Sequence, residues 1–374
     1  MRAPFKKSTI QQVADLAGVS QSAVSHYING RVNVCSRETG QRIRRAIEEL
    51  HFTPSQPIRL QGTLATKTIG VCVSLPSEDD VVSSFTYLHR FWSGVGKVVD
   101  AMGYKITHYP RSMRDSVSCN PFLDGGIDGL LFSAYREDMR VFSLAEAGLP
   151  TVCVVRSTNL PEGVGSVVPD ERDVVDLALK HLCNLGHRRI AYIGADDPGA
   201  EGVHLAPGLS WHSDTMISRS MAWQSWARRL RIEPRDYAVY NCGSGMMSAE
   251  DARRAVEHWL GLPSLPTAVF CGSDRLAISV MNAFKERGLS LPRDMSVVGV
   301  DNEGLAALFD PPLTSVEVPV AEVGQRATQM LIDAIQERAL CKAVVVPVDK
   351  LWVRASTCPP RNKADTIGDG ICTE

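Results

Sequence analysis

From Thr68 to Val300 the chain repeats one pattern, a short apolar run rich in β-branched residues followed by a helix-length stretch. The runs are Ile69-Gly70-Val71-Cys72-Val73, then 129–132, 150–155, 190–194, 268–271 and 297–300. Runs that are apolar at nearly every position, rather than at alternate ones, suit strands covered on both faces, the environment of a parallel sheet. Between them, 174–185 stops at Gly186 and 276–287 stops at Gly288, the residue type that closes helices. The pattern excludes all-helical and all-β folds. It predicts an α/β body long enough for two sheets, with any ligand at the carboxyl ends of the strands.

The head of the chain obeys a different rule. Residues 1–62 hold nine Lys/Arg against four Asp/Glu, a charge of +5, while the rest of the 374-residue chain carries −7. A basic head on an acidic body points to a polyanionic partner at one end only. Residues 9–50 read as three short helices. Ser8 or Thr9 can cap the first, whose inner face is Ile10, Val13, Ala14 and Ala17, and Gly18 ends it. Ser20 caps the second, with Ala23, Val24, Tyr27 and Ile28 inward, and Asn29-Gly30 stops it. Ser36 opens the third, with Ile43, Ala46, Ile47 and Leu50 inward. The link Ala17-Gly18-Val19-Ser20 has the length that a helix-turn-helix needs.

In such a unit the start of the second helix faces base edges, and its outward residues here are Gln21, Ser22 and His26. That helix carries no Lys or Arg. Phosphate attraction therefore falls to Lys6, Lys7, Arg31, Arg37, Arg42, Arg44 and Arg45. A small helical bundle with a solvated basic face satisfies the same periodicity.

The ten cysteines form no CxxC pair, and several lie inside apolar runs, as Cys72 does, so they read as buried thiols of a reducing compartment. No run approaches ~20 apolar residues and no apolar segment follows the basic N-terminus, which predicts a cytoplasmic protein without membrane contact. Neither HExxH nor GxSxG nor a P-loop occurs, so no enzymatic chemistry, cofactor or metal is expected. His187, beside Gly186 and two arginines, reads as a helix-end residue rather than a base.

The head resembles the LacI/GalR transcriptional regulators over Thr9-Ile10-Gln11-Gln12-Val13-Ala14-Asp15-Leu16-Ala17-Gly18-Val19-Ser20, then Ala23-Val24-Ser25 and Asn29-Gly30. The resemblance implies that Gln21, Ser22 and His26 read operator bases, with His26 standing where the family usually has arginine. It assigns Thr9, Ser20, Asn29, Arg31, Arg37, Arg42 and Arg45 to the DNA backbone. The loop 31–35 has one residue more than the family pattern. The segment 52–62 resembles the family's minor-groove hinge, with Arg59 matching its arginine and Leu60 its wedge leucine, one residue early. One residue turns a helix by about 100°, so imperfect insertion and weaker bending are expected.

The resemblance continues through about residue 356, on Gly125-Gly126-Ile127-Asp128-Gly129, Leu185-Gly186-His187-Arg188-Arg189, Val298-Gly299-Val300-Asp301-Asn302 and Asp310-Pro311-Pro312-Leu313-Thr314-Ser315-Val316. It implies an N-terminal three-helix helix-turn-helix head (1–53) and a hinge (54–67). After them comes a periplasmic-binding-protein-like body of two doubly wound α/β subdomains, about 68–166 with 320–340 and 167–316 with 341–356. The tail 357–374 has no heptad pattern and is expected to be disordered, which favours a homodimer.

By motif, the effector contacts are Arg219, Trp223 and Asp301, then Ser273, and more weakly Ser74 and Tyr87. The donor fork of Arg219 suits sugar hydroxyls or a carboxylate; its plain alternative is a surface arginine. Asp301 and Ser273 have helix capping as theirs. The stretch 196–215, with Trp211 and His212, exceeds the family's usual loop and either covers the cleft or decorates the surface. Phe85-Thr86-Tyr87-Leu88 replaces the family's Asn-Pro-Phe-Phe, and Tyr87 either stacks on a sugar or packs in the core. The resulting expectation is a repressor binding a near-palindromic double-stranded DNA operator under control of a saccharide or derivative. The alternative is a receptor-like solute sensor without gene-specific DNA recognition.

Overall fold

The computed structural model describes residues 9–28, 36–50, 66–73, 84–109, 119–195, 200–205, 213–241, 249–337 and 340–361. In the head, α1 (Ile10–Ala17), α2 (Gln21–Ile28) and α3 (Arg37–Glu49) enclose Val13, Ala14, Ala17, Val24, Ile43 and Ala46. These are inward positions that helical spacing selects. Thr9 and Gln12 form a capping box: the Thr9 hydroxyl accepts from the Gln12 amide, and Gln12 Oε1 accepts from the Thr9 amide at 2.8 Å. Gly18 takes φ 61°, and a β-carbon there would stand 2.6 Å from Arg42 Nη2. That nitrogen donates to the carbonyls of Ala17 and Gly18, so α3 grips the turn between the first two helices.

The body opens with β1 (Thr68–Cys72), α4 (Ser84–Met102), β2 (Lys105–His108), β3 (Gly129–Phe132), α5 (Arg140–Glu146), β4 (Thr151–Cys153) and β5 (Val164–Pro169). It continues with α6 (Glu171–Asn184), β6 (Ile190–Ala195), β7 (Val203–His204), α7 (Asp214–Leu230), α8 (Pro234–Tyr237), β8 (Ala238–Asn241) and α9 (Ala249–Leu260). Then come β9 (Ala268–Cys271), α10 (Asp274–Glu286), β10 (Ser296–Val300), α11 (Gly304–Leu308) and β11 (Thr314–Glu317). Last are α12 (Val320–Glu337), β12 (Ala343–Val346) and β13 (Lys350–Trp352).

Two sheets result, in the orders β12-β5-β4-β3-β1-β2 and β13-β11-β10-β9-β6-β8-β7. Every pairing is parallel except β11 with β13. The chain passes between the sheets after β5, between β11 and α12, and between β12 and β13. One expectation is corrected here. Residues 343–346, assigned from the resemblance to the second subdomain, pair in parallel with Ser166–Pro169 of β5 and complete the first sheet. The last crossover therefore falls after β12, because the edge of β5 offers a parallel ladder to Ala343–Val346 before β11 takes β13. Inside the stretch 196–215, β7 adds an edge strand to the second sheet, with His204 stacked on Tyr240 at 5.0 Å; 196–199 and 206–212, with Trp211 and His212, lie outside the described residues.

Strands apolar at every position are buried on both faces, as β3, β9 and β10 are. Cys72, Cys119, Cys153 and Cys271 are buried thiols in these layers. Against the first sheet, α4 and α12 pack so closely that a β-carbon on Gly94 would lie 1.9 Å from the Ala321 carbonyl oxygen. Because that obstacle is backbone, no side chain can swing aside. Gly94→Ala should therefore push the two helices apart and cost about 1–3 kcal/mol, as overpacking does. A lowered urea midpoint with an unchanged m-value would show it.

Candidate functional site

Four segments of the second lobe converge at the carboxyl ends of its strands. Glu171 opens α6 directly after the first crossover, Arg219 lies on α7, Gly272 follows β9, and Asp301 follows β10. Arg219 is only 8 % exposed and Glu171 4 %. Arg219 Nε donates to Glu171 Oε2 at 2.6 Å, Nη2 donates to Oε1 at 3.0 Å, and Nη1 donates to the Gly272 carbonyl. This fork-on-fork pairing is the strongest geometry available to a carboxylate. Burial alone would weaken the Arg219 charge, but Glu171 and Asp301 outweigh it and hold the guanidinium charged. Burial pushes the Glu171 carboxyl up, with Arg219 pulling against it.

A second set of contacts shapes the loop after β10. Asp301 and Asn302 both take positive φ, 103° and 47°, a strained choice for side-chain-bearing residues. The strain is held by surplus bonding. The Asp301 amide donates to the Val316 carbonyl at 2.8 Å, and the Asn302 amide to Ser315 Oγ at 3.0 Å. Asn302 Nδ2 donates to Glu317 at 2.8 Å, while its Oδ1 accepts from Arg354 at 2.6 Å. Beneath the loop, the fully buried Asp274 accepts from Ser315 Oγ at 2.6 Å and from the Glu303 amide at 2.7 Å. Burial and the neighbouring Asp301 push the Asp274 carboxyl well up. Burial raises Asp301 too, against Arg219 and Arg90, and burial with Asp301 beside it pushes Glu303 up to about 8.

The two lobes meet across this site through polar contacts. Arg90, on α4 of the first lobe, donates to the carbonyls of Asp301 and Asn302 at 3.1 and 2.9 Å. Asp214, the first residue of α7, accepts from Arg136 Nε at 2.7 Å. It also accepts from the amides of Ser157 and Thr158 at 2.9 and 2.7 Å and from Thr158 Oγ1 at 2.7 Å. Burial works against the Asp214 charge, yet these bonds from Thr158, Ser157 and Arg136 hold its carboxyl low. Arg156 supports that loop, donating to the carbonyls of Thr158, Tyr135, Asp138 and Asn159.

Of the residues singled out from sequence, Arg219 and Asp301 are brought together. Arg219 is interior rather than a surface arginine, and Asp301 caps nothing, since Glu303 holds the N-cap position of α11. Trp223 requires correction: it is fully buried, stacked on Tyr192 with ring centroids 5.3 Å apart, and packs below the site instead of facing a ligand. Its volume and the apolar floor of the lobe explain the placement. Ser273 caps α10, accepting from the Leu276 amide at 3.3 Å. Ser74 lies outside the described residues, as does the side chain of Tyr87, whose backbone belongs to α4. Sequence reading missed Glu171, Arg90 and Asp214 because none stands in a motif, whereas Ser273-Asp274 stood out as a pair at a strand end. His187 is buried, with Nε2 donating to the Cys358 carbonyl at 2.8 Å and Nδ1 bonded to the Thr267 hydroxyl at 2.9 Å, a structural tie.

In the head, Gln21 and Ser22 are exposed and His26 half-buried on α2. Ser20 caps that helix through the Ala23 amide at 3.1 Å. Arg45 is exposed, whereas Arg42 is committed to the turn. Lys6, Lys7, Asn29, Arg31, Arg59 and Leu60 lie outside the described residues, as do the side chain of Arg37 and residues 362–374; the expectation of disorder from 357 is corrected for 357–361, where the Cys358 amide donates to Ser296 Oγ at 3.0 Å and Arg361 pairs with Asp294 at 3.0 Å.

Comparison with known proteins adds two domain matches: residues 9–55 to the bacterial regulatory proteins of the lacI family, and residues 179–357 to the periplasmic binding protein-like domain. The repressor PurR of Mannheimia succiniciproducens is 27 % identical over 366 residues, covering 93 % of this chain and 98 % of that one. PurR of Aliivibrio fischeri is 28 % identical over 357 residues, covering 88 % and 93 %. Among solved structures, the complex of the transcriptional regulator CelR with cellobiose superposes with a TM-score of 0.66 at 25 % identity, over 94 % of this chain and all of that one. A lac repressor dimer bound to operator and an anti-inducer gives a TM-score of 0.63 at 24 % identity over the same shares.

The raised carboxyls have a measurable consequence. A carboxyl raised in the folded state stabilises the fold below its unfolded pKa, and that contribution is lost as pH climbs through the folded value. For Glu303 the window runs from the ordinary glutamate value of 4.5 to about 8. Within it stability should fall by up to about 1.4 kcal/mol per pH unit. Glu303→Gln should therefore be more stable than wild type at pH 8, with the difference closing toward pH 5. Urea midpoints at the two pH values test this.

Proposed function

Because the chain belongs to the LacI family of bacterial regulatory proteins, we propose that α2 reads operator DNA while a small molecule between the two lobes sets the affinity. The protein is a sequence-specific DNA-binding transcriptional regulator, a repressor, and works as a homodimer in the cytoplasm. One observation carries this reading. A capped helix-turn-helix that exposes Gln21 and Ser22 shares its chain with a cleft holding a buried Arg219 at strand ends. A receptor-like solute sensor accounts for the second feature and leaves the basic head without a role. No described helix is long and apolar enough to cross a membrane.

In this reading Gln21, Ser22 and His26 contact base edges, and Thr9, Ser20, Asn29, Arg31, Arg37 and Arg45 contact phosphates. Arg42 acts one step back, by setting the angle between α1 and α2. Arg59 and Leu60 enter the minor groove at the centre of the operator. Cellobiose in a regulator 25 % identical to this chain supports a saccharide or derivative as ligand. In this reading Arg219 and Asp301 contact the ligand, and Ser273, Ser74 and Tyr87 are further candidate contacts by motif.

Selection from random DNA should return an inverted repeat, since a two-fold dimer presents the same helix twice. His26→Ala should cost about 1–3 kcal/mol at one base position in each half-site. Arg45→Ala should weaken binding to all sequences and lower the salt slope by about one. Arg219→Ala and Asp301→Ala should lose the response to ligand while keeping wild-type operator affinity. A selection without dyad symmetry would sink the reading.

A further inference from the structure

We propose that α3 braces the recognition helix, and that Arg42 and Gly40 on it are positioning residues that hold α2 in its base-reading pose while touching no DNA themselves. The proposal rests on the reading of α2 as the recognition helix and deepens it.

Base edges are read well only by side chains held within about 0.5 Å of the productive geometry. The first two helices cannot supply that precision alone. Each has eight residues, short of the length at which a helix stands by itself in water. Only Gly18, Val19 and Ser20 join them. The angle between them is therefore set from outside, and α3 touches both.

The first contact is Arg42. Its Nη2 donates to the carbonyl of Ala17 and, at 2.9 Å, to that of Gly18, both at the C-terminal end of α1, where helical amides run out. The last turn of α1 holds no basic residue of its own, so the cation that favours a helix C-terminus comes from α3. The fit is close, since a β-carbon on Gly18 would stand 2.6 Å from the same nitrogen. The resemblance assigns Arg42 to phosphate, whereas these bonds commit one end of its guanidinium to the turn.

The second contact is Gly40. Glycine is a poor helix former, yet it stands inside the 13-residue α3. Its backbone needs no positive φ, so conformational freedom does not explain it. Space does. A β-carbon there would lie 3.1 Å from Tyr27 Cε2 and 3.7 Å from Cδ2, so the missing side chain lets the ring from α2 lie against α3. Tyr27 directly follows His26, one of the base-reading candidates. At about 100° per residue, Gly40 and Arg42 flank the buried Ile43 on opposite sides. One flank of α3 thus holds α2 itself, and the other holds the turn that enters it. Two separated contacts fix an orientation, which a single contact cannot.

The test uses full-chain protein and a duplex carrying the inverted repeat returned by selection, with a scrambled duplex of equal length as reference. Affinity is read by anisotropy across a potassium chloride series for wild type, Arg42→Ala, Arg42→Lys, Gly40→Leu and Arg45→Ala. Hydrogen exchange of α1, α2 and α3 reports whether each head is folded. In Arg42→Ala and in Gly40→Leu the ratio of operator to scrambled affinity should fall at least about fivefold, as for one lost base contact. Their salt slope should stay at the wild-type value, while that of Arg45→Ala falls by about one. Arg42→Lys, whose ammonium can donate to the same carbonyls, should recover most of the ratio. Leucine is a good helix former, so Gly40→Leu keeps α3 helical and carries the test if Arg42→Ala fails to fold. A slope lowered by about one in Arg42→Ala would make that residue a phosphate contact and overturn the proposal. A wild-type ratio in folded Arg42→Ala or Gly40→Leu would overturn it as well. If wild type itself selects no inverted repeat, the regulator reading fails and takes the brace with it, an outcome visible before any variant is compared.

Discussion

The buried pair of Arg219 and Glu171 is the contact through which the second lobe acquires its site. It joins the start of α6, which is where the chain first leaves the opening sheet, to the middle of α7 and to the end of β9. Removing either partner leaves a buried charge, which costs about 3–5 kcal/mol in comparable settings. The pair is therefore better understood as a constraint on geometry than as a source of stability. It fixes how the guanidinium is oriented within the lobe.

Around that constraint the two lobes, which share one continuous apolar cluster, are also linked by hydrogen bonds. Arg90 reaches from α4 to the strained carbonyls after β10, and Asp214 ties the first turn of α7 to the 157–158 loop and Arg136. Arg219 follows Asp214 by five residues on the same helix, a separation of about 7.5 Å along its axis. One helix therefore bears both the buried arginine of the pair and the aspartate that joins the lobes. Polar contacts of this kind exchange with water at low net cost.

Much of the fold was legible because periodicity reports burial. Strand runs at 129–132 and 268–271 coincide with β3 and β9, and the inner faces of the head helices follow Val13, Ala14, Ala17, Val24, Ile43 and Ala46. Strands at sheet margins were harder. Lys105–His108, Val203–His204 and Lys350–Trp352 are short and carry polar residues, so nothing in their own pattern separates them from loop. Ala343–Val346 is apolar, but its partner, β5, is distant in sequence, and pairing cannot be inferred from one strand.

The sequence by itself determined the basic helix-turn-helix head and the two-sheet α/β body, because caps, glycine stops and apolar runs act locally, and resemblance singled out Arg219 and Asp301. Only the tertiary structure decided what those two residues face. Glu171 lies 48 positions from Arg219, and Arg90 lies 211 from Asp301. It also decided that Trp223 belongs to an aromatic stack and Arg42 to a turn. Charge pairing and burial depend on which strand ends are brought together, and three passages of the chain between two sheets set that arrangement.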